Sequence, residues 1–96
     1  MQRIYKAIFI ISSKLSENES KQFIEELKQI MTKNNNLEIL NSKTEVANLP
    51  YPIRKETKGT YFTVEFKTTA DVISKIREEL KHRDEILRLT IIRKEQ

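Results

Sequence analysis

Twice along this 96-residue chain, a stretch with helical apolar spacing lies between stretches patterned like strands. That order restricts the fold more than any other feature of the sequence. In the first stretch Phe23, Ile24, Leu27, Ile30 and Met31 recur among the polar Lys21, Glu25, Glu26, Lys28 and Gln29. Residues three and four apart share one face of a helix, so this spacing predicts an amphipathic helix of about 16 residues with one buried stripe. Ser16-Glu17-Asn18-Glu19 precedes it in the form of a capping box, Ser at the cap and Glu three residues later. Asn34-Asn35-Asn36 is expected to end it, because Asn tolerates the left-handed cap conformation. The second stretch carries Val72, Ile73, Ile76 and Leu80, with Thr68 expected as its cap and Asp71 at the third helical position.

The strand-like stretches differ in kind. Residues 4–11 are β-branched or aromatic and apolar at nearly every position, as in a central strand covered on both sides in its second half. Residues 37–49 alternate less well. Leu37, Ile39 and Val46 are interrupted by Asn41, Ser42 and Lys43, which suits an edge strand with one side in water. Pro50 and Pro52 fit edge or turn positions, where a missing N–H is tolerated. Lys55-Glu56-Thr57-Lys58-Gly59 reads as a turn and holds the only glycine. Residues 60–67 alternate cleanly, with Phe62, Val64 and Phe66 on one face and Tyr61, Thr63 and Glu65 on the other. Residues 87–93 form a fourth strand, with Leu87, Leu89 and Ile91 facing one way and Arg88, Thr90 and Ile92 the other.

Strand, helix, strand, strand, helix, strand, joined by right-handed crossovers, predicts the ferredoxin-like arrangement. This is an α+β fold with a four-stranded antiparallel sheet and both helices on one face. Residues 1–96 make one such domain. No helix remains for the second sheet face, which is expected to stand open to water, RNA or a protein.

Chemistry is hard to build from these residues. The single histidine, His82, sits between Lys81 and Arg83, which makes it a poor base and a poor metal ligand. Glu25-Glu26 and Glu78-Glu79 are helical neighbours that point about 100° apart, so neither pair converges. One glycine excludes a Gly-rich phosphate loop. An acylphosphatase-like use of this fold needs an amide loop with an arginine after the first strand, where Ser12-Ser13-Lys14 stands instead. No catalytic group, cofactor, metal or small-molecule substrate is expected. The absence of cysteine removes disulfides and thiolate sites. The apolar run at residues 7–11 is too short for a membrane span, so the expected location is the cytoplasm.

Charge points elsewhere. A third of the residues are charged, and a net charge of +4 favours a polyanionic partner such as RNA. Arg54, Lys55 and Lys58 cluster before the third strand. Arg88, Arg93 and Lys94 lie on or after the fourth, and Arg3 precedes the first. Tyr51 or Tyr61 is expected to stack on a base. An RNA recognition motif is a poor match. Thr60 stands where its third-strand signature needs an aromatic, and Thr63 and Glu65 replace its Val and last aromatic.

Four segments together resemble one family. They are Tyr5-Lys6-Ala7-Ile8-Phe9-Ile10-Ile11, Leu49-Pro50-Tyr51-Pro52-Ile53, Leu80-Lys81-His82-Arg83-Asp84, and the closing block from Ile86 to Lys94. They resemble the opening strand, the Leu-Ala-Tyr-Pro-Ile segment, the end of the second helix and the closing strand of the bacterial-type sixth protein of the small ribosomal subunit. The resemblance implies a place on the small subunit and binding to its ribosomal RNA together with the subunit's eighteenth protein. It implies no catalysis and no cofactor. It makes Tyr51, Arg54, Lys55, Arg88, Arg93 and Lys94 candidate RNA or partner contacts. The family's Gly and basic pair before that Tyr-Pro-Ile segment are missing from Thr44-Glu45-Val46-Ala47-Asn48. That departure keeps a second expectation open: a ferredoxin-like interaction module off the ribosome, forming a homodimer through the open sheet face or the edge of the second strand.

Overall fold

The computed structural model describes residues 2–33 and 36–94. In chain order the elements are β1 (Arg3–Ser12), α1 (Glu17–Thr32), β2 (Glu38–Ile53), β3 (Glu56–Thr68), α2 (Ala70–Leu80) and β4 (Ile86–Arg93). The strands form one antiparallel sheet in the order β2-β3-β1-β4. This is the ferredoxin-like topology that the order of patterns predicts.

One sheet face packs against both helices. Tyr5, Ala7, Phe9 and Ile11 of β1 join Phe62, Val64 and Phe66 of β3 beneath Phe23, Ile24, Leu27 and Met31 of α1 and Val72, Ile76 and Leu80 of α2. The β1–β3 register sets Phe9 opposite Phe62 and Tyr5 opposite Phe66, with ring centroids 5.7 and 5.9 Å apart. Such cross-strand aromatic pairs fix register as well as bury area.

The capping box forms as expected. Glu19 N–H donates to Ser16 Oγ at 3.1 Å, and Ser16 N–H donates to Glu19 Oε1 at 2.8 Å. Two amides without helical partners are thereby satisfied. Asn34 and Asn35, expected to end the helix, lie outside the described residues. The C-cap is Lys33, whose N–H donates to Gln29 O at 3.0 Å.

Four expectations are corrected. Thr69, not Thr68, is the N-cap of α2. The β1–β3 ladder extends to Arg3 opposite Thr68, and the buried Thr68 hydroxyl donates to Asn36 O at 2.8 Å. That hydroxyl ties β3 to the α1–β2 connection and is not available to the helix.

The β2–β3 turn is at Arg54-Lys55, not at residues 55–59. Ile53 pairs with Glu56, and Arg54 and Lys55 have φ of 51° and 68°. Two residues at positive φ are the usual solution for a tight hairpin, because that turn follows the strand twist. Gly59 lies within β3, opposite Ala47 and Ser12. A Cβ there would stand 2.9 Å from Ile10 Cγ2 and 3.2 Å from the Ile11 carbonyl oxygen. The glycine permits a close strand approach and makes no turn.

Leu87 does not face the helices. The β1–β4 register shifts between Ile10 opposite Arg88 and Ile11 opposite Ile86, which leaves Leu87 as the bulged residue. Ile86 joins the main core, while Leu87 packs with Ile10 and Leu49 in a second cluster, flanked by Ile53 and Tyr61.

Consequently the second sheet face is not wholly open. The end of β2 and its hairpin cover the sheet where β4 begins. Lys6, Ile8, Thr63, Thr90 and Ile92 occupy the uncovered remainder, and Ile92 is 47% exposed.

Candidate nucleic-acid interface

β2 and β4 are opposite edges of the sheet, with β3 and β1 between them. At the usual spacing that separates them by about 14 Å. Tyr51 of β2 nevertheless meets Arg88 of β4. Arg88 Nη1 donates to the Tyr51 hydroxyl, and the guanidinium carbon lies 5.3 Å from the Tyr51 ring centroid. The contact exists because the last residues of β2 cross the sheet over Ile10 and Leu87. At the hairpin tip, Arg54 Nη1 donates to the Asp84 carbonyl at 3.4 Å. Tyr51, Arg54 and Arg88 therefore converge at the start of β4, although Arg88 lies 37 positions beyond Tyr51 along the chain.

A cleft of about 260 Å³ opens beside them. Arg54, Arg77, Lys81, Arg83 and Arg88 line it, over Leu80 and Leu87. Two of these cations are matched by carboxylates. Arg83 bonds Glu26 at 2.7 Å and Glu85 at 3.3 Å, and it lies 5.0 Å from the Phe23 ring centroid. Its hydrogen bond holds the Glu85 carboxyl below the usual range. Lys81 bonds Glu78 at 3.1 Å. Among the described residues, Arg54, Arg77 and Arg88 have no carboxylate within salt-bridge distance. A guanidinium is planar and presents paired donors, which match two phosphate oxygens at once. Three of them around one cleft, with an aromatic ring under one, are equipped to hold an RNA backbone.

A buried carboxylate anchors the hairpin. Glu56, first residue of β3, is 9% exposed. It accepts from Ser12 Oγ at 2.8 and 2.9 Å, from Ser13 N–H at 2.8 Å and from Ser13 Oγ at 2.9 Å. Burial pushes its pKa up, but the Ser12 and Ser13 hydrogen bonds and the Lys14 charge outweigh this, so the net shift is downward. Ser12-Ser13-Lys14 thus holds a carboxylate of its own chain, a role that the sequence does not reveal because the partners are 43 and 44 positions apart.

The other candidates lie elsewhere. Arg3 opens β1 opposite Thr68, and Arg93 ends β4 opposite Tyr5. Lys94 follows, its N–H donating to Ile4 O at 2.9 Å and its Nζ bonding Glu65 at 2.7 Å. The Lys94 bond lowers the Glu65 pKa. Five strand positions, about 17 Å, divide Arg88 from Arg93. Lys58 lies opposite Asn48 and lines a groove with Leu15 and Ile24 on the helix side, away from Tyr51. Lys55 is exposed at the turn, and His82 is exposed after α2. Arg77 was not among the expected contacts, because one arginine on a polar helix face looks like any solvated charge. Among the described residues, no three His, Cys, Asp or Glu side chains are grouped to hold a metal, and no helix is long and apolar enough to cross a membrane.

The elements define a ferredoxin-like α+β domain with a cleft lined by basic side chains beside β4. Comparison with known proteins gives the family. Residues 4–93 match the model of ribosomal protein S6, and the chain belongs to that family. It is 32% identical over 90 residues to small ribosomal subunit protein bS6 of Azobacteroides pseudotrichonymphae, covering 93% of this chain and 80% of that protein. It is 30% identical over 93 residues to bS6 of Campylobacter lari, covering 97% and 75%. The crystal structure of 30S ribosomal protein S6 from Thermotoga maritima superposes with a TM-score of 0.91 at 23% identity, over 98% of this chain and 89% of that one. The C-terminal domain of the MgtC protein from Mycobacterium tuberculosis shares the fold alone, at a TM-score of 0.67 and 12% identity.

Proposed function

We propose that this chain is a structural constituent of the small ribosomal subunit. It binds the subunit's ribosomal RNA through phosphates seated on Arg54, Arg77 and Arg88, and it does so together with the subunit's eighteenth protein. The observation that carries the reading is the convergence of three guanidiniums without carboxylate partners among the described residues, with Tyr51 beneath Arg88. Family membership supports the particle, and the resemblance of the Tyr-Pro-Ile and closing segments supports the partner. Arg3, Arg93 and Lys94 form a second, weaker contact at the far end of β4, with Lys94 already engaged by Glu65. Lys55 adds charge at the hairpin tip, and Lys58 takes no part in the cleft. The chain performs no chemical step in this role.

The test is binding to purified small-subunit ribosomal RNA, with and without the eighteenth protein. The partner is expected to tighten binding. Arg88→Glu is expected to weaken it at least about tenfold, a change of about 1.4 kcal/mol. In cell lysates the protein should sediment with small subunits. Finding none of it there, or full RNA affinity in the Arg88→Glu variant, would overturn the reading.

A further inference from the structure

The cleft beside β4 has two kinds of lining. Its floor is aliphatic, made of Leu80, Ile86, Leu87 and Leu89. Every other lining side chain is an arginine or a lysine. Such a wall donates hydrogen bonds and accepts none. The three guanidiniums without carboxylates also differ from one another. Arg88 gives Nη1 to the Tyr51 hydroxyl and Arg54 gives Nη1 to the Asp84 carbonyl, so the protein holds both in place. Arg77 has no hydrogen-bond or carboxylate partner among the described residues. It stands on α2 one turn before Leu80, and residues three apart share a helix face. Its fork therefore borders the aliphatic floor with all of its donors uncommitted.

A paired RNA helix makes poor use of this site. It offers phosphates and sugars and leaves the floor in water, and its base edges lie in a deep, narrow major groove that side chains do not read. An unstacked base uses all of the site. Its face covers the leucines, its flanking phosphates reach Arg54 and Arg88, and its edge meets Arg77. The volume, about 260 Å³, is below the usual range for a drug-sized ligand and suits a single nucleotide. A fork that only donates needs two neighbouring acceptors. Guanine O6 and N7 are such a pair, whereas adenine sets a donor beside its N7. An unpaired cytosine offers N3 and O2, but its single ring covers less of a floor built from four side chains.

We propose that the cleft seats one unpaired guanine nucleotide, its base lying on Leu80 and Leu87 and its O6 and N7 accepting from the Arg77 fork. A guanine seat rests on the RNA binding proposed above and narrows it, from a backbone contact to a bulge or junction where a guanine leaves the stack. An arginine has five N–H donors, so Arg77 can face the base with two and keep the others for a phosphate. Arg88, fixed over the Tyr51 ring, gives the nucleotide a rigid wall.

The test titrates the full chain, in low salt, with short RNA hairpins that differ at one position of the stem. That position is fully paired, or carries a single bulged guanine, 7-deazaguanine, adenine, cytosine or abasic residue. The bulged guanine should bind at least about tenfold tighter than the paired stem and the abasic bulge, the size of one good bidentate contact. 7-Deazaguanine keeps the shape and the Watson–Crick edge but lacks N7, and should lose most of that gain. Arg77→Lys keeps the charge and removes the fork. It should erase the preference for guanine over 7-deazaguanine, a ratio that a change in charge alone would not move. Arg77 is exposed, and circular dichroism checks that the variant is folded. Equal binding of paired and guanine-bulged hairpins, adenine or cytosine held as tightly as guanine, or a guanine preference that survives Arg77→Lys would each overturn the proposal. Binding to purified small-subunit ribosomal RNA, with the eighteenth protein present, is the control. If that binding is intact and the hairpins show no preference, the guanine seat alone fails. If that binding is absent, the RNA role fails with it.

Discussion

Glu56 shows how one side chain positions a surface it does not touch. Its carboxylate joins the start of β3 to the end of β1, and so fixes the hairpin that carries Tyr51 and Arg54. Its pKa is lower in the folded chain than the ordinary Glu value of 4.5. A group with a depressed native pKa stabilises the fold fully above its unfolded value, and that stabilisation disappears as pH falls through the native value. Glu56→Gln keeps the shape but exchanges charge-assisted hydrogen bonds for neutral ones. The expected loss at pH 7 is about 1–2 kcal/mol. Urea unfolding as a function of pH should show the gap to wild type present above 4.5 and closing in acid. A gap of constant size down to the acid limit would mean that the carboxylate charge is not what matters.

At the scale of elements, the hairpin is where sequence and structure part. The helices were legible, because Ser16 and Glu19 form a local signal and the apolar stripes repeat within one element. β3 was legible for the same reason: Phe62, Val64 and Phe66 alternate in an uninterrupted run. The turn was not, since Arg54-Lys55 is neither Asn-Gly nor Asp-Gly, and Gly59 looked like the natural turn former. Gly59 is instead required by Ile10, a contact between residues 49 positions apart. The place of Leu87 is not legible, because a bulge shifts the alternation without leaving a mark in β4 itself. The same distance in sequence hid the candidate site. Arg54 and Arg88 each stand out in the sequence as a basic side chain at a strand end, but nothing local says that the hairpin crosses the sheet to bring them together, or that Arg77 joins them.

The positive φ at both turn positions has a cost, because a side chain in the left-handed region crowds its own backbone. Lys55→Gly should therefore stabilise the chain by about 0.5–1 kcal/mol, the steric relief being partly offset by the greater freedom of glycine when unfolded. Arg54→Gly should give a similar gain in stability. The two should differ in RNA affinity, which falls further when Arg54, a member of the cleft, is lost than when Lys55 at the tip is. Thermal or urea midpoints and RNA titrations on both variants check this. Equal RNA affinity in the two would remove Arg54 from the interface.

At the scale of the whole molecule, the proposed role asks a modest net charge of +4 to hold a polyanion. The answer lies in its distribution over a body 40 × 25 × 22 Å. At one end of β4, three guanidiniums have no carboxylate within salt-bridge distance among the described residues. At the other end, Lys94 is committed to Glu65 and offers the RNA little without breaking that pair. Counterion release makes this measurable, since each phosphate neutralised adds about 0.7–0.9 to the slope of log affinity against log salt. Replacing Arg54, Arg77 and Arg88 together by Ala should lower that slope by about 2–3. Replacing Arg3 and Lys94 together should lower it by about 1 or less, because a cation already paired releases fewer ions. Titrations of the three proteins against small-subunit ribosomal RNA between about 50 and 200 mM salt span the useful range. If the two multiple variants lose the same slope, both ends of β4 contribute alike and the cleft has no special place in the interface. If the slope falls as expected while circular dichroism is unchanged, the position of charges relative to their own carboxylates, and not their number, sets where this fold meets RNA.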